Sequence, residues 1–217
     1  MATNSRNEQT PPLWHRPGTK MSEDQYHELE RLSPDRKYEY IDGIAYMMSG
    51  GSVAHDRIAY NVRFALDMHF RSHACTVFGP DVQVFLALKK NGKLHFVYPD
   101  ATVSCDVADS RADNTLIESP RVVLEVLSPS TETKDRGTKF KAYQNQETIQ
   151  EIVLLSQFAQ YVEVWQRNEQ DPKNPKAWLY RHYGPSDTVH LVSIDIQIEI
   201  AVLYRGLIFN DGEEELT

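Results

Sequence analysis

The sequence predicts a mixed β-sheet core flanked by helices, an α/β or α+β arrangement, and three observations carry that prediction. Short apolar runs with strand-like alternation recur from Tyr38 to Ile194 and are separated by polar turns. Two stretches among them place their apolar residues at helical spacing instead. A third helical stretch, "TETKDRGTKFKAYQNQ", joins the apolar runs "RVVLEVLS" and "EIVLLS". A connection of that length is what two parallel neighbouring strands require.

Taken in order, residues 1–20 read as a flexible lead-in, 21–209 as a single domain and 210–217 as a solvated acidic tail. In "MSEDQYHELERLSPD", Ser22 is an N-cap with Gln25 three places on, and Tyr26, Leu29 and Leu32 form the apolar stripe of a short helix ending before Pro34. Asp42-Gly43 divides two alternating runs, so Tyr38 to Met48 is expected to be a tight β-hairpin. Ser52 to Ser72 carries Ile58, Val62, Ala65, Leu66 and Phe70 on one helical face. The segment from Ala74 to Asp106 then reads as a strand, an Asn91-Gly92 turn and a second strand. Residues 106–120 read as a polar loop, and further strands are expected at "QYVEVWQR", "AWLYRHY" and "TVHLVSI".

Composition narrows the function. With 41% hydrophobic and 25% charged residues over 217 positions, the chain is of ordinary globular character. No apolar run approaches the roughly 18–20 residues that span a bilayer, and the polar start has no signal-peptide core, so a cytoplasmic protein without membrane contact is expected. A formal net charge of −8 lacks the basic footprint of a constitutive nucleic-acid binder, though a local basic patch is compatible with it. Cys75 and Cys105 fit no metal-binding spacing and are expected to be ordinary buried thiols.

Chemistry gathers at Glu125. A carboxylate on a buried strand costs several kcal/mol unless it is paired, hydrogen-bonded or bound to a cation. Asp100 follows Pro99, and a proline belongs at a strand start or edge, so Asp100 should project from a sheet end. If the two strands are neighbours the carboxylates converge, and two such oxygen ligands completed by water and phosphate are a usual way of holding Mg²⁺.

Pro99-Asp100 followed by Glu125-Val126-Leu127 resembles the PD-(D/E)XK nuclease superfamily. A closer likeness is to one widespread bacterial branch of it, restriction endonuclease-like proteins with a domain of unknown function. The likeness rests on "YEYIDG", "MSGGSVAHDRI", "YPDATV", "VVLEVLSPSTETKDRGTKFKAY" and "IEIAVLYRG", and covers about residues 20–209. It implies a mixed sheet with helices around it and metal ligands on adjacent strands. It implies Asp100 and Glu125 as ligands of Mg²⁺ or Mn²⁺, with the carbonyl of Val126 or Leu127 as a third. The superfamily lysine, two residues after the acid, is replaced here by Leu127. Lys139, four residues after Asp135, matches the branch's own lysine, with Lys141 a second candidate and Tyr143 on the Lys139 face. Glu39 and His55 match further family positions as supporting groups. The implied activity is metal-assisted phosphodiester hydrolysis on DNA, by a homodimer if both strands are cut.

Plainer readings stand beside these. Glu125 could be one half of a buried ion pair with Lys139, Arg121 or Arg136. Ser130 or Thr131 is expected to cap the following helix, and His55 to be structural as readily as functional. "KKNGK" reads as a charged hairpin tip, and the aromatic residues of "QYVEVWQR" and "AWLYRHYG" as core or dimer contacts. The competing function is a nuclease fold that binds nucleic acid or protein without catalysis. A small-molecule hydrolase finds no nucleophile motif in the sequence.

Overall fold

The computed structural model describes residues 18–71, 74–88, 93–168 and 177–209. The lead-in to residue 17, the Asn91-Gly92 tip with Lys89 and Lys90, and the acidic tail from Asn210 lie outside the described residues. A two-residue strand, β1 (Thr19–Lys20), precedes helix α1 (Glu23–Leu32), which starts at Ser22 through the expected capping box with Gln25. Tyr26 and Leu29 are buried, but Leu32 is 60% exposed at the helix end. The hairpin β2 (Tyr38–Ile41) and β3 (Ile44–Met47) turns through Asp42 and Gly43, whose φ values of 53° and 80° fit the tight turn expected. Helix α2 (Val53–Phe70) buries Ile58, Val62, Leu66 and Phe70, as its spacing requires.

The next segment differs from its expected two strands. It forms β4 (Thr76–Phe78), β5 (Gln83–Leu88), β6 (Lys93–Val97) and β7 (Ala101–Ser104). Gly79-Pro80 and Pro99 interrupt the alternation, because a proline has no amide to give a ladder. Cys75 and Cys105 are not free thiols but a disulfide, with Cα atoms 4.0 Å apart. The physical reason is register: β4 and β7 pair with Thr76 opposite Ser104, so the two flanking cysteines face each other. Both are half-buried.

The loop after residue 106 holds a short strand, β8 (Leu116–Ile117), before β9 (Pro120–Leu127). The crossover follows as α3 (Glu132–Lys134), a wide π-type turn over Asp135–Lys139, and α4 (Phe140–Asn145). The uniform helix expected there is interrupted at Gly137, whose backbone is non-helical (φ −103°, ψ −105°). Strands β10 (Glu151–Ser156), β11 (Val162–Arg167), β12 (Trp178–Tyr183), β13 (Thr188–Leu191) and β14 (Ile196–Glu199) and helix α5 (Ile200–Leu203) follow among the described residues.

These strands form two six-stranded sheets, in the orders β1-β3-β2-β6-β5-β8 and β12-β11-β10-β9-β7-β4, and a small β13-β14 ladder. Parallel β9 and β10 lie inside an otherwise antiparallel second sheet, the outcome of the crossover. Along β9 the side chains alternate. Val122, Leu124 and Val126 join the core under α2, while Val123 and Leu127 join the core shared with Ile41, Val84 and Leu86 of the first sheet and Tyr143 of α4. Glu125 stands on that second face, which is why it is buried. The edge strand β12 serves the core at its two ends, where Trp178 and Tyr183 pack against it, while Tyr180 between them is 45% exposed. No helix among the described residues is long and apolar enough to cross a membrane.

Candidate active site

β7 and β9 are antiparallel neighbours with Ala101 opposite Leu124, and extending that register by one residue brings Asp100 beside Glu125. The Pro99 break frees Asp100 from the ladder, and its Oδ2 accepts a 2.7 Å hydrogen bond from the amide of Val126. The same oxygen lies 3.3 Å from Nε2 of His55, in the first turn of α2. This hydrogen bond raises the His55 pKa against the opposing effect of burial. Both carboxylates and His55 line a cavity of about 740 Å³ between the loop before α2 and the loop after β9.

Glu125 is held from the crossover. The Tyr143 hydroxyl donates to its Oε1 at 2.5 Å, and Nζ of Lys139 is 2.7 Å from that oxygen. Lys139 also lies 2.7 Å from Oε1 of Glu39 and 3.7 Å from Asp135. The ion pair weighed for Glu125 is therefore present, with Lys139 as its partner. Arg136 pairs with Glu132 and Glu163, Arg121 donates to the carbonyl of Ser193, and exposed Lys141 stands apart. Glu39, which a hairpin would ordinarily turn to solvent, is 1% exposed because β2 is an interior strand of the first sheet.

Electrostatics follow from crowding. Burial pushes the Glu125 carboxyl up to about 8, with Asp135, Asp100 and Glu39 adding to it and Lys139 opposing. Burial works against ionisation of Glu39 as well, yet Lys139 and Lys134 hold its pKa down at about 2. Burial alone would lower the Lys139 pKa, but Glu125 and Glu39 outweigh it and keep the ammonium charged. Asp135 is raised, chiefly by burial.

Thr131 occupies the N-cap of α3 without making a side-chain cap bond, contrary to expectation. Its hydroxyl lies 2.9 Å from that of Ser128, which is also 3.1 Å from Ser130. Sequence reasoning also missed Lys134, whose Nζ reaches Oε2 of Glu39 at 2.5 Å. Only the wide turn reveals it. On a regular helix, side chains five apart diverge by about 140°, whereas the kink at Gly137 between these two lysines breaks that spacing. Lys134 and Lys139 thus meet the two oxygens of one carboxylate.

Among the described residues, no three His, Cys, Asp or Glu side chains are grouped to hold a metal by themselves. The donor chemistry nevertheless fits a hard divalent ion that keeps several waters. Asp100 and Glu125 are adjacent carboxylates on one cavity wall, in a crowd of acidic groups that a cation would offset.

Strand order, crossover and site together define a restriction endonuclease-like fold. A solved structure described as a "putative nuclease belonging to DUF820", from Anabaena variabilis, superposes with a TM-score of 0.62 at 17% identity, covering 78% of this chain and 90% of that one. The family described as "Uma2: Putative restriction endonuclease" matches residues 23–200, and the chain belongs to that family. Two relatives come from Synechocystis sp. The uncharacterized protein slr1290 is 33% identical over 89% of this chain and 96% of its own length. The uncharacterized protein sll1609 is 26% identical over 60% and 72% respectively.

Proposed function

We propose that the protein is a metal-dependent endonuclease that hydrolyses DNA phosphodiester bonds. One observation carries the reading: Asp100 and Glu125 sit side by side at the end of neighbouring strands, in one cavity, with the crossover lysine touching Glu125. Asp100 and Glu125 would hold Mg²⁺ or Mn²⁺, which when bound would lower the pKa of a water and polarise the phosphate. His55 fixes the carboxylate of Asp100, and Tyr143 fixes that of Glu125. Lys139 sets the charge of the acidic wall, and Glu39 and Asp135 hold Lys139. Cutting both strands of a duplex would take two such sites, hence a homodimer.

A second reading, a nuclease fold that binds without cutting, is favoured by Leu127 at the usual lysine position and by the closed Lys139–Glu39–Glu125 contacts. Calorimetric titration with Mg²⁺ or Mn²⁺, together with a supercoiled-plasmid nicking assay, separates the two. The endonuclease reading expects binding and nicking that both disappear in Asp100→Ala and Glu125→Ala. A folded wild-type chain that binds neither ion and leaves the plasmid intact would establish the second reading instead.

A further inference from the structure

We infer that Lys134 contacts a backbone phosphate of the nucleic-acid substrate at this cavity, taking over the task for which Leu127 offers no charge. The inference rests on the endonuclease reading and adds to it a residue that neither the family pattern nor the strand geometry indicates.

Three side chains that line the cavity are basic: His55, Lys134 and Lys139. Lys139 is 3% exposed and is engaged by Glu39 and Glu125, both at 2.7 Å, so its ammonium is committed to carboxylates inside the protein. His55 faces Asp100. Lys134 is different. Its side chain is 21% exposed, and its carboxylate partner, Glu39, already has the buried Lys139 on its other oxygen. Lys134 is thus the cavity ammonium least enclosed by carboxylates, and the one an incoming phosphate can reach. The ammonium lies 5.3 Å from the ring centre of Tyr46, another residue of the cavity wall, which favours a cation at this place. Leu127 cannot substitute. It shares its face of β9 with Glu125 but is packed with Ile41 and Tyr143, so a cation has to come from the crossover above the sheet. The kink at Gly137, between the two lysines, accompanies an arrangement in which both reach Glu39, Lys139 buried and Lys134 left partly exposed at the cavity.

The test is equilibrium fluorescence anisotropy of the full chain with a labelled DNA duplex, with Ca²⁺ in place of Mg²⁺, across a salt series. Lys134→Met is expected to weaken binding about 3- to 10-fold and to reduce the slope of log Kd against log salt by about 1, the signature of one lost phosphate contact. Lys134→Arg is expected to restore both. Lys134→Gln retains a donor to Glu39 without the charge, and is expected to lose the slope as Lys134→Met does. A residue that merely tied α3 to Glu39 would leave that slope unmoved. Wild-type affinity and slope in the folded Lys134→Met and Lys134→Gln variants would overturn this inference and leave the endonuclease reading standing. Failure of the wild-type chain to bind any duplex would remove both.

Discussion

At the scale of single residues, the site is an exercise in balancing buried charge. Glu39, Glu125, Asp135 and Lys139 are all buried, and Lys139 lies within 4 Å of all three acids. Removing different members therefore has unequal costs. Lys139→Met strips Glu125 and Asp135 of their ammonium partner, and should destabilise by about 3–5 kcal/mol in urea unfolding. Glu125→Gln leaves Lys139 with Glu39 and Asp135, keeps an acceptor for Tyr143, and should stay within about 1 kcal/mol of wild type while losing divalent-ion binding. A large stability loss in Glu125→Gln would make that carboxylate a structural ion pair first. A second buried group, His95, gives a pH dependence away from the site. Its Nδ1 accepts from the Asp42 amide, its Nε2 has no hydrogen-bond partner among the described residues, and burial lowers its pKa below the ordinary 6.5. The unfolded chain then takes up a proton before the folded chain does. Stability from this group is present above the unfolded pKa and falls as pH drops below it. Glu125, Asp135 and His55, whose pKa values are raised, act in the opposite sense. The comparison is therefore with His95→Asn, which can retain the acceptor: the urea midpoint of the wild type relative to that variant should fall as pH drops below about 6.5.

At the scale of elements, the glycines before α2 make separable statements. A Cβ on Gly51 would lie 2.9 Å from Nδ1 and 3.1 Å from Cγ of His55, whereas one on Gly50 would meet nothing within 4 Å. Gly51→Ala should push the imidazole from Asp100, visible as a fall in the His55 pKa by NMR, because the hydrogen bond that raises it is lost. Gly50→Ala should leave that titration unchanged; equal behaviour of the two variants would deny Gly51 its role. Elements also mark what the sequence made legible. The capping box at Ser22, the Asp42-Gly43 hairpin and the α2 face obey short-range rules, so Ser22, Asp42 and Ile58 identified their own structures. Glu125 was odd in its setting, an acid on an apolar strand, whereas Asp100 stood out through the Pro99 break and Lys139 through the family resemblance alone. Lys134 was not legible, since five-residue spacing means divergence on an ordinary helix, and the kink at Gly137 that breaks this spacing has no simple sequence signal.

At the scale of the molecule, long-range pairing was the hidden part. One mixed sheet was expected, but the strands distribute over two six-stranded sheets whose shared core buries Glu125. Whether β4 would lie on β7 depends on a packing decision made 30 residues apart, and the disulfide between Cys75 and Cys105 is its consequence. That link fastens the far edge strand to β7, the strand that begins just after Asp100, so its effect should reach the site through the sheet. A bridge closing a loop of 30 residues should stabilise by about 3.5 kcal/mol through the restricted unfolded chain. Dithiothreitol should accordingly lower the thermal midpoint of the wild type and leave that of a Cys75→Ala/Cys105→Ala chain unaffected, with the reduced wild type and the double variant melting close together. If β7 transmits the constraint, the same treatment should also weaken divalent-ion binding at Asp100 measured well below the midpoint. A thermal midpoint indifferent to reductant, in wild-type protein whose thiols then titrate as free, would mean that the pairing of β4 with β7 holds this edge without the covalent link.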